Sequence, residues 1–103
     1  MKLGHIAAAC LSLALGSSAL AQQPTVLKIG YATSKESHYG VGSTVFCDEV
    51  EKNTQGRFKC QHFANSALGG EREQIEAIQL GTQDLVNTST GPVGNFVPEV
   101  KIV

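Results

Sequence analysis

The sequence predicts an α/β fold: three short strands in a parallel sheet, joined by two crossover helices in the order β-α-β-α-β. Three observations carry this prediction. Leu27, Ile29 and Tyr31 alternate with polar or small residues at period two, and Phe58, Cys60 and His62 do so again. Between these runs, Tyr39, Ser43, Phe46 and Val50 recur at the spacing of one helical stripe. Gly56 and Gly81 stand where each helix has to stop, because glycine takes the positive φ of a helix end at little cost.

Taken in order, Met1–Ala21 reads as an export leader. Lys2 supplies a positive start, Ile6–Leu15 an apolar run, and Ala19-Leu20-Ala21 the small-residue pattern a signal peptidase cuts after. Gln22 would then be the first mature residue. The run is too short for a permanent span, which needs about 20 apolar residues. Cys10 lies inside the run and is read as a passenger. Removing these 21 of 103 residues leaves 82, enough for one small domain with a thin core.

Gln22–Thr25 is a polar lead and Val26–Ala32 the first strand. Thr33–Ser37 is a loop in which Ser34 or Ser37 can cap the helix His38–Asn53. In that helix Tyr39, Ser43, Phe46 and Val50 are expected to face the core, with Cys47 at the margin. Gly40 and Gly42 suggest close approach of a strand or ligand. Arg57–Phe63 is the second strand and Ala64–Gly70 a loop of small residues. Glu71–Leu80 is the second helix, with Ile75 and Ile78 inward and Glu71, Arg72 and Glu73 as a solvated first turn. Asp84–Ser89 is a short third strand, Thr90–Asn95 a turn-rich loop, and Phe96–Val103 an apolar segment.

Composition narrows the chemistry. The mature part carries seven Lys/Arg against nine Asp/Glu, with the basic residues scattered and no Trp, which argues against nucleic-acid binding. Two cysteines remain after leader removal, Cys47 and Cys60. In an exported chain that count invites one disulfide, the alternative being two buried thiols. With His38 and His62 scattered, no paired spacing for a metal site is present. Nor is a cofactor motif. Ser89, His38 or His62, and Asp84 are the residue types of a hydrolase triad, but no G-x-S-x-G elbow holds the serine, and the chain is read as a non-enzyme.

The run LGGEREQIEAIQLG from Leu68 to Gly81, then Asp84 and STGPVGNFVPEV from Ser89 to Val100, resembles the solute-binding subunit of tripartite ATP-independent periplasmic (TRAP) transporters. This is the DctP-like family. Leu27–Tyr31, Gly56-Arg57-Phe58 and Asn65-Ser66-Ala67-Leu68-Gly69 resemble it too. The resemblance implies a periplasmic protein that binds an organic acid, such as a C4-dicarboxylate or other carboxylate, between two α/β lobes. It also implies a monomer that delivers the acid to ion-gradient-driven membrane permease subunits. Family members are of two-domain size. Residues 22–103 correspond to part of the first lobe, and the expectation is a truncated copy lacking the second lobe and its carboxylate-clamping arginine.

Ligands of open parallel sheets sit beyond the carboxyl ends of the strands. With the resemblance, that rule selects Ala32 and Thr33 at the end of the first strand and Ser89, Thr90 and Gly91 at the end of the third, with His38 at the helix start. The hydroxyls of Ser89 and Thr90 and the Gly91 N–H are expected to donate to a carboxylate. Some sialic-acid-binding members of the family it resembles carry an amide at the position of Ala32 and an acid at that of Ser89, so a smaller acid is implied. The alternative function is a small exported interaction module that uses its open sheet edge.

Overall fold

The computed structural model describes residues 23–101. The expected leader and its cleavage point before Gln22 lie outside the described residues. Seven elements follow one another: β1 Thr25–Tyr31, α1 His38–Asn53, β2 Phe58–Phe63, α2 Glu71–Leu80, β3 Leu85–Asn87, α3 Thr90–Val93 and a 3-10 turn Pro98–Val100. The expected β-α-β-α-β order is present, with both long helices at the expected bounds. β3 is shorter than expected. The stretch expected as a loop from Thr90 begins with one turn of helix, because Ser89 is extended and Pro92 falls in the first turn, where its missing N–H is not needed.

The sheet has the order β2-β1-β3, and both pairings are parallel. β1 is the central strand: Thr25 to Gly30 align with Phe58 to Phe63, and Ile29 to Tyr31 with Leu85 to Asn87. The chain steps from β1 to β2 on one side, then crosses back over β1 to β3. Right-handed crossovers in opposite directions put α1 and α2 on opposite faces. The side chains agree. Ile29 and Tyr31 pack with Cys47 of α1, whereas Gly30, pointing the other way, lies against Gln74 of α2.

On the α1 face the core is Ile29, Tyr31 and Cys47, with Tyr39, Cys60, Ala64 and Leu85 packed around them. Cys47 and Cys60 are joined by a disulfide, their Cα atoms 5.7 Å apart, which ties α1 to β2. This corrects the expected helix stripe. Gly40, Ser43 and Cys47 are the buried residues of α1, while Phe46 is 49% exposed. Small residues let the helix approach the sheet closely, and the bond to Cys60 sets its rotation, turning the bulkier Phe46 outward. Gly40 is a point of close approach, to the loop before α1 rather than to a strand: a Cβ there would overlap the backbone of Lys35. At Gly42 a Cβ would meet nothing within 4 Å.

On the α2 side the helix buries Ile75, as expected, together with polar side chains. Gln74 is fully buried and donates to the Gly69 carbonyl at 2.8 Å. Buried Gln83 donates to Gln74 Oε1 at 3.0 Å and to the Leu85 carbonyl at 2.7 Å. This pair occupies the space a side chain at position 30 would need, since a Cβ on Gly30 would stand 2.7 Å from Gln83 Nε2.

Candidate functional site

The strand order reverses between β1 and β3, so the crevice beyond their carboxyl ends is where an open α/β sheet offers a ligand its seat. Five of the six residues singled out from sequence lie in the segments that follow these two strands. Ala32 and Thr33 follow β1; Ser89, Thr90 and Gly91 follow β3 and open α3. The sixth, His38, is the exposed first residue of α1, its ring centroid 4.5 Å from that of Tyr39.

The β1 segment is tied down by short bonds. Ser37 caps α1, accepting from the Gly40 N–H at 3.2 Å, while its own hydroxyl donates to the Ser34 carbonyl at 2.6 Å. Thr33 Oγ1 lies 2.7 Å from Ser37 Oγ. The Ser37 proton is already committed, so Thr33 is the donor, and its oxygen is left able to accept only. The β2 loop braces the same segment: Asn65 N–H donates to the Thr33 carbonyl at 2.9 Å and Ser66 N–H to the Tyr31 carbonyl at 3.2 Å.

The β3 segment is tied by Glu71, at the start of α2. Its Oε1 accepts from the Thr88 hydroxyl at 2.9 Å and the Ser89 N–H at 3.0 Å, and Ser89 Oγ lies 3.5 Å from Oε2. One expectation changes here. Glu71 is a clamp on the loop after β3 rather than part of a solvated first turn. Arg72 does point away, pairing with Glu76 at 3.2 Å.

Asn87 belongs to the same framework and was not singled out from sequence. It is the last residue of β3, on the α1 face. Its amide donates to the Tyr39 carbonyl at 3.0 Å and to buried Ser43 Oγ at 3.1 Å. An amide ending a strand whose neighbours are apolar is the signal that marks it. Asn87 also lines a cavity of about 210 Å³, with Ile29, Ser43, Phe46, Leu85 and Val86. None of the six singled-out residues lines that cavity, which lies against α1.

Beneath the crevice, Tyr31 is fully buried and hydrogen-bonded to His62 Nδ1 at 3.1 Å, with the rings edge to face at 6.0 Å. Burial raises the Tyr31 pKa, with the Glu36 charge adding to it. Burial also lowers that of His62; Lys35 acts in the same direction and Asp48 against it. The residues considered for a triad are held apart. Asp84 accepts from the Lys28 N–H at 2.8 Å just before β3, whereas Ser89 follows the far end of that strand.

The description "Bacterial extracellular solute-binding protein, family 7" (DctP) matches residues 29–103. A solute-binding protein of Verminephrobacter eiseniae is 52% identical over 85 residues, covering 82% of this chain and 25% of its own length. The C4-dicarboxylate-binding periplasmic protein DctP of Rhodobacter capsulatus is 35% identical over 92 residues, 86% of this chain and 27% of its own. Among solved structures, a TRAP periplasmic solute-binding protein from Polaromonas sp. JS666, bound to D-erythronate, superposes with a TM-score of 0.74 at 77% identity. That match covers 77% of this chain and 26% of the other. The chain thus spans about a quarter of the length of the relatives it matches.

Proposed function

Since the chain belongs to the bacterial extracellular solute-binding proteins of family 7, we propose that it supplies one wall of a cleft that captures an organic acid for a TRAP transporter. Residues 22–103 are then part of the first lobe, and Met1–Ala21 is a leader removed on export to the periplasm. The observation that carries the reading is the crevice between β1 and β3, whose loops are pinned from below by Ser37, Asn65 and Glu71. Such bracing holds Ala32, Thr33, Ser89, Thr90 and Gly91 in fixed positions before a ligand arrives, which lowers the ordering cost of binding. His38 stands at the rim.

Capture would proceed by closure of a second lobe over the acid, driven by the ligand's higher affinity for the closed form. The closed, monomeric complex is the form handed to the membrane permease subunits. The reading assigns this chain no catalytic step. The D-erythronate-bound relative and the C4-dicarboxylate-binding relative set the range of acids to consider.

A graft tests this. The matching segment of the Polaromonas protein is replaced by residues 26–103, and D-erythronate binding is followed by calorimetry. Retained binding, lost on substitution of Thr33 and Thr90 by valine, supports the reading. A folded graft without affinity for any organic acid overturns it.

A further inference from the structure

Tyr31 and His62 form a closed polar pair at the carboxyl end of β1. Tyr31 is the last residue of that strand and wholly buried, so no solvent reaches its hydroxyl. Among the described residues the hydroxyl has one partner, His62 Nδ1 at 3.1 Å. A buried hydroxyl proton has to find an acceptor. Tyr31 therefore donates, Nδ1 accepts, and the neutral ring carries its hydrogen on Nε2. Protonation places a hydrogen on Nδ1 as well. Two hydrogens then meet between the same two atoms, and either the Tyr31 proton turns into the dry core or the pair parts.

The bracing of the β1 segment adjoins this pair. His62 leads into the turn 64–67, closed by the Ala67 N–H on the Ala64 carbonyl at 3.1 Å. Asn65 and Ser66 in that turn are both left-handed, at φ 54° and 58°, a conformation non-glycine residues keep only while their surroundings hold it. From there the Ser66 N–H donates to the Tyr31 carbonyl at 3.2 Å, its hydroxyl to the Ala32 carbonyl at 3.3 Å, and the Asn65 N–H to the Thr33 carbonyl at 2.9 Å. The charges facing the His62 ring are Lys35, from the loop before α1, and Asp48, from α1. Glu36, beside Lys35, acts on Tyr31, and Lys59, on β2 itself, is drawn to Glu51 at 3.4 Å. Burial, with Lys35, outweighs Asp48 and holds the ring's pKa below 6.5.

We propose that Tyr31 and His62 are positioning residues that make the bracing of Ala32 and Thr33 depend on pH. With His62 neutral, the pair is closed and the turn 64–67 sits firmly on the end of β1. With His62 protonated, the pair opens, the left-handed turn loses its support, and the β1 wall of the crevice slackens. This coupling stands on the geometry of the pair; its consequence, a weaker hold on a ligand in acid, rests on the organic-acid reading above. A single proton limits the loss to about tenfold per pH unit.

The test uses the 103-residue chain with its disulfide intact, labelled with ¹⁵N. Amide hydrogen exchange, taken relative to an unstructured chain at each pH, is followed from about pH 8 to about pH 5 beside the titration of the His62 ring. The Asn65 and Ser66 amides are expected to lose protection below the ring's midpoint, by up to about tenfold per pH unit, while the Gln74 amide on α2 keeps its own. His62→Gln, which still accepts from Tyr31 but does not titrate, should abolish the loss. Tyr31→Phe should move the His62 midpoint up towards 6.5 and uncouple it from Asn65 and Ser66. Amides at Asn65 and Ser66 that ignore the ring's titration overturn the proposal. So does loss of protection at Gln74 with the same midpoint, which makes the event global unfolding. In the Polaromonas graft, D-erythronate affinity should fall over the same range and stay level with His62→Gln. Affinity unchanged while those amides open overturns the consequence for binding. No affinity at either pH counts against the organic-acid reading alone, and the amides still decide the coupling.

Discussion

Reducing the Cys47–Cys60 disulfide is expected to destabilise this chain severely. The bond closes a loop of sequence separation 13 between α1 and β2. On the chain-entropy model, freeing a loop of that size in the unfolded state costs about 3 kcal/mol. A domain of this length has a total stability of about 4–12 kcal/mol, so a large fraction is at stake. Among the described residues Cys47 is one of three buried members of the α1-face core, so two thiols must refit where one bond stood. At about 4–8 °C per kcal/mol for domains of this size, the melting temperature should fall by about 12–24 °C. The assay is thermal unfolding by far-ultraviolet circular dichroism, with and without a phosphine reductant, after confirming complete reduction by thiol titration. Melting curves that coincide within about 2 °C would refute the reasoning. They would mean that the contacts of Ile29, Tyr31 and Leu85 hold α1 in place unaided.

Other expectations concern neighbouring residues. Gly40→Ala should destabilise by about 1–3 kcal/mol, because the added methyl overlaps the Lys35 backbone. Gly42→Ala, two residues on in the same helix and facing open space, should stabilise by about 0.5–1 kcal/mol; denaturant midpoints measure both. Asn87→Ala leaves the buried Ser43 hydroxyl without its partner and should cost about 1–3 kcal/mol, much of it recovered when Ser43→Ala is added. Burial lowers the His62 pKa below 6.5, so at mildly acidic pH the unfolded chain takes up a proton that the folded chain refuses. This contribution to stability is complete above pH 6.5 and declines as pH falls from there towards the lowered folded value. His62→Phe should flatten that part of the pH–stability curve.

Much of the architecture is legible in the residues. The bounds of α1 and α2 follow from a serine cap and a stopping glycine, local devices that act within one turn of chain. Alternation in β1 and β2 marks the residues that share the core face. What was not legible depends on contacts distant in sequence. The outward turn of Phe46 is decided by the bond from Cys47 to Cys60 and by the small residues Gly40 and Ser43 on the sheet side. The buried pair Gln74 and Gln83 can exist only because Gly30, on another element, leaves room for it. Glu71 has the pattern of an ordinary acidic helix start, and its role emerges only when the crossover of α2 brings Thr88 and Ser89 within reach. In the crevice, sequence names residues at the strand ends, but which of their hydrogens are already bonded is a property of the assembled loops.

The central position of β1 bears on the order of assembly. β1 pairs on one side with β2, reached through a single helix, and on the other with β3, which comes a helix and a strand later. Contacts between nearer segments lose less chain freedom on closing and form sooner. A chain emerging amino end first can therefore complete β1-α1-β2, and oxidise Cys47 with Cys60, before Leu85 is available to pair with Ile29. The covalently closed unit then presents one unpaired edge of β1 as a template, and β3 with the loop clamped by Glu71 docks onto a surface already set. The part of the crevice formed last is the part that β3 and α3 bring to it.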